Sequence, residues 1–193
     1  KQINYEVPGD PSSAAFFIVA ALIKKNSRLT MKNINYNDRR IGIIKVLEKM
    51  GAKITIDNKR TETNDTVVDI TSEYSQLESV DVNGEIISDL IDELPILFIV
   101  CAACNGISQI SNIEELRYKE SDRIESMEKG LNLLGIKTES TQDSIKIHGG
   151  KLTGGIVNSF GDHRVAMAFS IAALISEKPI TILNTKNIST SFP

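Results

Sequence analysis

Cysteine and histidine are scarce in this chain: its 193 residues carry two of each. Cys101 and Cys104 form a C-x-x-C, but no second cysteine pair exists to complete a zinc site, and His148 and His163 are far away in sequence. The run Leu97-Phe98-Ile99-Val100-Cys101-Ala102-Ala103-Cys104 reads instead as the middle of a buried helix, where free cysteine packs as a small apolar residue. Reduced thiols fit a cytoplasmic location. Long apolar runs are missing too. The stretch Leu94 to Cys104 stops at Asn105-Gly106, short of a membrane span, so no membrane partner is expected. A basic excess is also lacking: Lys+Arg 22 against Asp+Glu 25 leaves a net charge of −3, which argues against a nucleic-acid partner but leaves room for local basic clusters that hold small anions. The first residues, Lys1-Gln2-Ile3-Asn4-Tyr5, resemble neither a signal peptide nor a disordered tail and read as a strand entered midway. The end at Ser191-Phe192-Pro193 is equally abrupt, so the chain is expected to be one part of a longer one.

What is present is enough for a core, in one domain or a closely coupled pair. The chain is organised around Gly161-Asp162-His163-Arg164 and the small and apolar residues Val165 to Ile175, which read as a buried helix capped by Asp162. The same phrase occurs 152 residues earlier at Gly9-Asp10-Pro11-Ser12-Ser13, with Ala14, Phe17, Val19 and Leu22 matching Ala166, Phe169, Ile171 and Leu174. The copies differ where the helix begins. Pro11 stands where a missing N–H costs nothing, whereas the later copy places His163 and Arg164 there, against the helix dipole. Two readings of Arg164 stay open: a solvated side chain on a surface turn, or a guanidinium that joins free N–H groups in an anion site.

In chain order the pattern predicts a strand at Tyr5-Glu6-Val7, a helix from Pro11 to Lys24, a strand from Arg28 to Asn33, a helix from Arg39 to Met50 stopped by Gly51, and strands at Ala52 to Asp57 and Val67 to Thr71. After a linker, Ser72 to Ser79, the order restarts with Val80-Asp81-Val82, a helix from Glu93 to Cys104, and Ile107 to Ile113. A helix from Asp122 to Leu134 stopped by Gly135 follows, then Ile136 to Ser140 and Ser144 to His148. A third unit opens with Gly155 to Ser159, the helix after Asp162, and Ile180 to Leu183. The expected organisation is a single domain over residues 1–193 with repeats near 3–71, 80–148 and 155–193, the third incomplete. In each unit the first helix is apolar almost all round and most strands alternate, which points to an α/β (α+β) fold with helices inside and sheets outside. Related by a threefold axis, those helices would bring three positive dipole ends to one face.

Charged residues crowd at Arg117-Tyr118-Lys119-Glu120-Ser121-Asp122-Arg123. The matching place in the first unit, 84 residues earlier, also has Asp38-Arg39, so Asp122 needs no role beyond opening a helix; Lys119 and Glu120 have no counterpart there. A solvated charged turn is the plain alternative. Asp92 is the natural N-cap of the second unit's first helix. If the repeat puts these helix ends on one surface, Asp92, Glu120, Lys119, Arg123, His163 and Arg164 compose a site for a phosphorylated, carboxylated substrate with carboxylates for proton transfer.

Gly9-Asp10-Pro11-Ser12-Ser13-Ala14, Ile91-Asp92-Glu93-Leu94-Pro95, Lys119-Glu120-Ser121-Asp122-Arg123 and Asp162-His163-Arg164-Val165-Ala166-Met167 together resemble the 5-enolpyruvylshikimate-3-phosphate synthase family, over all 193 residues but only about the second half of such an enzyme. The resemblance implies the enolpyruvyl transferase fold, an inside-out α/β barrel of βαβαββ units in two domains that close over substrate. It implies transfer of the enolpyruvyl group of phosphoenolpyruvate to the 5-hydroxyl of shikimate 3-phosphate through a tetrahedral ketal, with no metal or cofactor, and a glyphosate target. The missing N-terminal domain of the same chain is then a partner.

By the same resemblance Asp92 holds the shikimate ring and acts at its 5-hydroxyl, and Glu120 moves the proton at the phosphoenolpyruvate methylene. Lys119 contacts the shikimate-phosphate side, Arg123 and Arg164 grip phosphoenolpyruvate, and His163 stands beside that grip. Lys119 and Arg123 flank Glu120 and favour its ionised form, so proton donation is expected to need closure and the substrate's own negative charge. Thr190 stands where some members carry a lysine, just before Ser191-Phe192-Pro193, so the pocket is expected to lack one cation unless another residue supplies it. Two alternatives are a UDP-N-acetylglucosamine enolpyruvyl transferase, which shares fold and donor, and a non-catalytic anion-binding domain.

Overall fold

The computed structural model describes residues 6–62 and 65–192. Helix α1 (Pro11–Ile23) starts as its sequence dictates, with Pro11 at its first position and the Asp10 carboxylate accepting from the Ser13 N–H at 2.9 Å. It is followed by β1 (Arg28–Asn35), α2 (Gly42–Lys49), β2 (Lys53–Glu62) and β3 (Asp65–Glu73). Next come β4 (Asp81–Val82), two 3-10 turns (Gly84–Asp89 and Ile91–Glu93), α3 (Leu94–Ala103) and β5 (Ile107–Ser111). A third 3-10 turn (Glu114–Tyr118) leads into α4 (Arg123–Leu133), then β6 (Thr138–Ser140) and β7 (Ser144–His148). The chain continues through β8 (Gly155–Asn158), α5 (His163–Ala172), β9 (Ile180–Leu183) and α6 (Ile188–Ser191).

The strands form three sheets. β1-β3-β2 is antiparallel throughout; β4-β5-β7-β6 has one parallel pair, β4 with β5; and β8 pairs in parallel with β9, Gly155 opposite Ile180. The helices α1, α3 and α5 pack on one another, and each also lies against a sheet, α1 on β1 and β3, α3 on β7 and α5 on β9. Helices are therefore inside and sheets outside. The most deeply placed element is α3, where every residue from Leu94 to Ala102 is buried, as a helix apolar on all sides requires. Full burial of each large side chain there stabilises the fold by about 1.5–3 kcal/mol. Cys101 and Cys104 are part of this core, and burial pushes both thiols up to about 12. Among the described residues no helix is long and apolar enough to cross a membrane.

The core helices run in the same direction. Near the start of α5, Arg164 donates to the carbonyl of Asp92 just before α3, while beyond their far ends Lys24 Nζ, following α1, donates to the Leu174 carbonyl, following α5. The three N-termini thus open on one face.

Several expected boundaries move. Tyr5 lies outside the described residues and Glu6-Val7 are in no strand; among the described residues before α1 it is Gly9 that meets the first sheet, bridged to Ile34. Helix α2 begins at Gly42 rather than Arg39, because the Asn37 side chain accepts from the Arg39 N–H at 2.9 Å and its carbonyl from the Arg40 N–H at 2.8 Å, closing a turn. Helix α5 stops at Ala172 and Leu174 is exposed, so the buried run is shorter than the pattern to Ile175. The matched phenylalanines also part company. Phe169 is fully buried against α4, whereas Phe17 is exposed and tilts against Phe192, ring centroids 5.8 Å apart.

Helix α4 approaches α5 closely at Gly130, where an added Cβ would lie 2.1 Å from Phe169 Cζ. A contact this short puts the overpacking cost of Gly130→Ala at the upper end of about 1–3 kcal/mol, so a net loss of about 2 kcal/mol is expected after the ~1 kcal/mol that alanine adds in an unstrained helix. Denaturant unfolding of the chain with and without the substitution checks this; an unchanged or raised midpoint would contradict it.

Candidate active site

The site is built at the open face. Asp162 caps α5: its Oδ1 accepts from the N–H of Arg164 at 2.8 Å and of Val165 at 3.3 Å. Its other oxygen turns to Arg123 Nε at 2.8 Å and to the Ser121 hydroxyl at 3.3 Å. Both halves of this carboxylate are used, and the residue is fully buried. Asp122 opens α4 by accepting from the Glu125 N–H at 2.9 Å, and it also receives Arg117 Nη1 at 2.7 Å. Arg117 is further held by the Gln142 and Thr141 carbonyls, which takes it out of the group of three cations that the sequence crowds together.

The first helical residue of α4 is Arg123, and its side chain is 1% exposed. Besides Asp162, it donates from Nη1 to Asp92 Oδ1 at 3.1 Å and from Nη2 to Glu120 Oε2 at 2.5 Å. One guanidinium thereby joins α4, α5 and the turn before α3. A lysine has a single charged atom and could not fork in this way.

Asp92 is expected to cap α3, and it does not. It lies in the 3-10 turn Ile91–Glu93 and no side chain caps α3, whose first position after Leu94 is taken by Pro95. Delivered by that turn, the Asp92 carboxylate meets Arg123, with Lys119 Nζ 3.6 Å and Arg164 Nη2 3.9 Å away. Partial burial would raise its pKa, but Arg164, Lys119 and Arg123 outweigh this and hold it below the usual carboxylate range. Lys119 is held above its ordinary range, chiefly by the Glu115 carboxylate that accepts from it at 2.5 Å.

Arg164 is no solvated surface arginine. Its side chain is 15% exposed, and Nη1 donates to the Asp92 carbonyl at 3.0 Å. His163 is half-buried beside it; burial, then the neighbouring Arg164 charge, lower its pKa, with Asp162 and Glu120 opposing. Glu120, at 50% exposed, lies over Arg123 and is the outermost carboxylate of the group. All six residues singled out from the sequence, Asp92, Lys119, Glu120, Arg123, His163 and Arg164, thus face one another at the N-terminal ends of the core helices. Thr190 is exposed in α6.

Three participants were missed. Asp162 looks like a cap identical to Asp10, and nothing in the motif tells that its second oxygen binds Arg123. Glu93 is buried, with Arg164 Nη1 3.5 Å from its Oε1; a glutamate at a helix start reads as a dipole partner facing water. Arg40 donates to Asp10 at 2.6 Å and to the Ser12 hydroxyl at 3.3 Å, a link across 28 to 30 residues without a sequence signal.

Comparisons with known proteins agree on kind. The model of the family "EPSP synthase (3-phosphoshikimate 1-carboxyvinyltransferase)" matches residues 1–193. The 3-phosphoshikimate 1-carboxyvinyltransferase of Legionella pneumophila (strain Paris) is 46% identical over 187 residues, covering 97% of this chain and 43% of that protein. The protein of that name from Bacillus cytotoxicus is 44% identical over 189 residues, 97% of this chain and 45% of its own. Among solved structures, EPSP synthase from Acinetobacter baumannii superposes with a TM-score of 0.95 at 40% identity, over 98% of this chain and 45% of that one. The enolpyruvyl transferase NikO from Streptomyces tendae, at 17% identity and a TM-score of 0.69, covering 93% of this chain and 39% of its own, shows the fold alone. The chain spans less than half the length of the curated relatives it matches.

Removing the shared guanidinium should cost far more than removing a surface arginine. Arg123→Met leaves Asp162 buried without its cation and is expected to destabilise the protein by about 3–5 kcal/mol. Denaturant unfolding measures it, and a loss within about 0.5 kcal/mol, the scale of an ordinary surface change, would contradict the account.

Proposed function

Because the chain belongs to the EPSP synthase family, we propose that the whole protein transfers the enolpyruvyl group of phosphoenolpyruvate to the 5-hydroxyl of shikimate 3-phosphate and releases phosphate, and that this chain supplies one wall of the site. The observation that carries the reading is the meeting of Asp92, Lys119, Glu120, Arg123, His163 and Arg164 on one rim. Both substrates are multiply anionic, and the rim combines cations with the N-terminal ends of three helices.

In the addition step the 5-hydroxyl oxygen bonds to C2 of phosphoenolpyruvate, the hydroxyl proton leaves, and the methylene carbon gains a proton to give the tetrahedral ketal. In the elimination step that carbon loses a proton, the double bond reforms and the bond to phosphate breaks. Asp92 is assigned to the 5-hydroxyl. Its low pKa keeps it ionised and able to accept the hydroxyl hydrogen bond, while substrate anions that offset Arg164 and Lys119 make it a better base.

Glu120 is assigned to the methylene proton. It is the exposed partner of Arg123, so an anion that reaches Arg123 takes its place there and frees it to face the reacting carbon. Arg164 and Lys119 are the more accessible cations; Arg164 is assigned with Arg123 to phosphoenolpyruvate and Lys119 to the shikimate-phosphate side. His163 adjoins Arg164, and burial and that charge push its pKa below the ordinary histidine value.

The chain is further proposed to be most of one of two domains, with repeats near residues 3–71, 80–148 and 155–193 and the third completed by other segments. The missing N-terminal domain is its partner in closing over the substrates. A cytoplasmic location is supported by two core cysteines that are unpaired.

The complete protein is expected to release phosphate from phosphoenolpyruvate with shikimate 3-phosphate as acceptor and none with UDP-N-acetylglucosamine, as a phosphate-release assay reads directly. Activity with the nucleotide sugar alone would reassign the acceptor. Asp92→Asn and Glu120→Gln are each expected to lower kcat/KM by about 10²–10⁴-fold; turnover undiminished in both would favour a non-catalytic anion-binding domain. The 193 residues alone are expected to give no steady turnover.

A further inference from the structure

One buried acid has no part in the reaction just described. Glu93 is 4% exposed and follows Asp92 at the start of α3, and its Oε1 has no hydrogen-bond partner among the described residues. Within ion-pair reach of that oxygen is Arg164 Nη1 at 3.5 Å, and this Nη1 already donates to the Asp92 carbonyl. The groups facing the carboxyl come from every element packed around it: the Ser12 hydroxyl of α1, Arg164 of α5, Asp92 beside it, and Arg40 from the turn before α2. An unsatisfied buried carboxylate is costly, and Arg164 offsets that cost only while its charge is not spent elsewhere.

Resting on the enolpyruvyl-transfer reading, we propose that Glu93 is a positioning residue that sets how strongly Arg164 holds an anion, by taking up one proton from solvent as the anion arrives. With the site empty, the guanidinium supports the ionised acid. A carboxylate or phosphate on Arg164 brings negative charge to the same place and removes that support, so Glu93 becomes neutral and its new O–H can donate. Burial already pushes the Glu93 carboxyl above the ordinary carboxylate range, with Ser12 and Arg164 pulling back and Asp92 adding to the rise, and an anion on Arg164 acts in the same upward direction. The sign follows from linkage. Because the ligand raises the pKa, binding is tighter below the titration and weaker above it, and KM for phosphoenolpyruvate rises with pH.

The test compares the complete wild-type protein with Glu93→Gln, which keeps the shape and removes the titration. KM for phosphoenolpyruvate is measured across pH at saturating shikimate 3-phosphate. The expected result is near-equal KM values at the acid end and a wild-type-to-variant ratio that climbs about tenfold with pH, for a ligand-induced shift of about one pKa unit. His163 and the ligand's own phosphate titrate in both proteins and cancel in the ratio. A ratio independent of pH overturns the inference and leaves the enolpyruvyl-transfer reading standing. No turnover by the wild-type protein with shikimate 3-phosphate overturns that reading and the inference with it. If Glu93→Gln does not fold, infrared difference spectra of the Glu120→Gln protein, which removes the other carboxyl freed by the ligand, on addition of phosphoenolpyruvate decide. A gained carbonyl band of a protonated carboxylic acid supports proton uptake, and its absence refutes it.

Discussion

A single buried guanidinium joins what the chain keeps far apart. Arg123 meets Asp162 across 39 residues, Asp92 across 31 and Glu120 across three, and each partner comes from a different element. Burying Arg123 or Asp162 alone would cost several kcal/mol; joined by a directed hydrogen bond and with Asp92 and Glu120 on the guanidinium, they tolerate burial. The consequence for function is geometric. The starts of α3, α4 and α5 are tied together through this one side chain, with Asp92 and Asp162 fixed on it from two sides.

The core prepares that arrangement. Because α1, α3 and α5 are apolar nearly all round, they satisfy one another in the interior and leave the amphipathic strands to face water on their outer sides. Parallel packing of three helices leaves their dipoles aligned, an unfavourable arrangement unless the positive ends meet negative charge. Asp10, Asp162, Asp92 and Glu93 supply part of that charge from the protein itself, and the proposed anionic substrates would supply more. The same constraint accounts for Glu93. It is a buried acid kept beside Arg164 at the meeting point of these helix ends, the place where the proposed anion would compete for the same charge.

How much of this was legible beforehand depended on whether local pattern or distant contact decides each feature. The strands Ser144–His148 and Ile180–Leu183 and the starts of α1, α4 and α5 follow from alternation, caps and Pro11, all of them local. The six candidate site residues could be grouped from the repeat and the charged stretch, but the plain alternative of a solvated turn stayed open, and their individual roles came only from the resemblance. Features settled by tertiary contact escaped. Arg39-Arg40 suit a helix, yet the Asn37 turn delays α2. Asp92 looks like a cap, yet a 3-10 turn carries it past the helix to Arg123. Phe17 and Phe169 match in the sequence and differ in burial because only Phe169 has α4 to pack against. The most buried arginine of the site sits in the most charged stretch of the chain, where composition predicts exposure.

The most direct test of the central claim is a crystal structure of the complete protein with phosphoenolpyruvate bound. The account predicts the ligand's anionic groups on Arg164 and Arg123, with Glu120 moved off the guanidinium and the Arg123–Asp162 contact kept. A ligand seated away from these arginines, with the Arg123–Glu120 pair undisturbed, would contradict it.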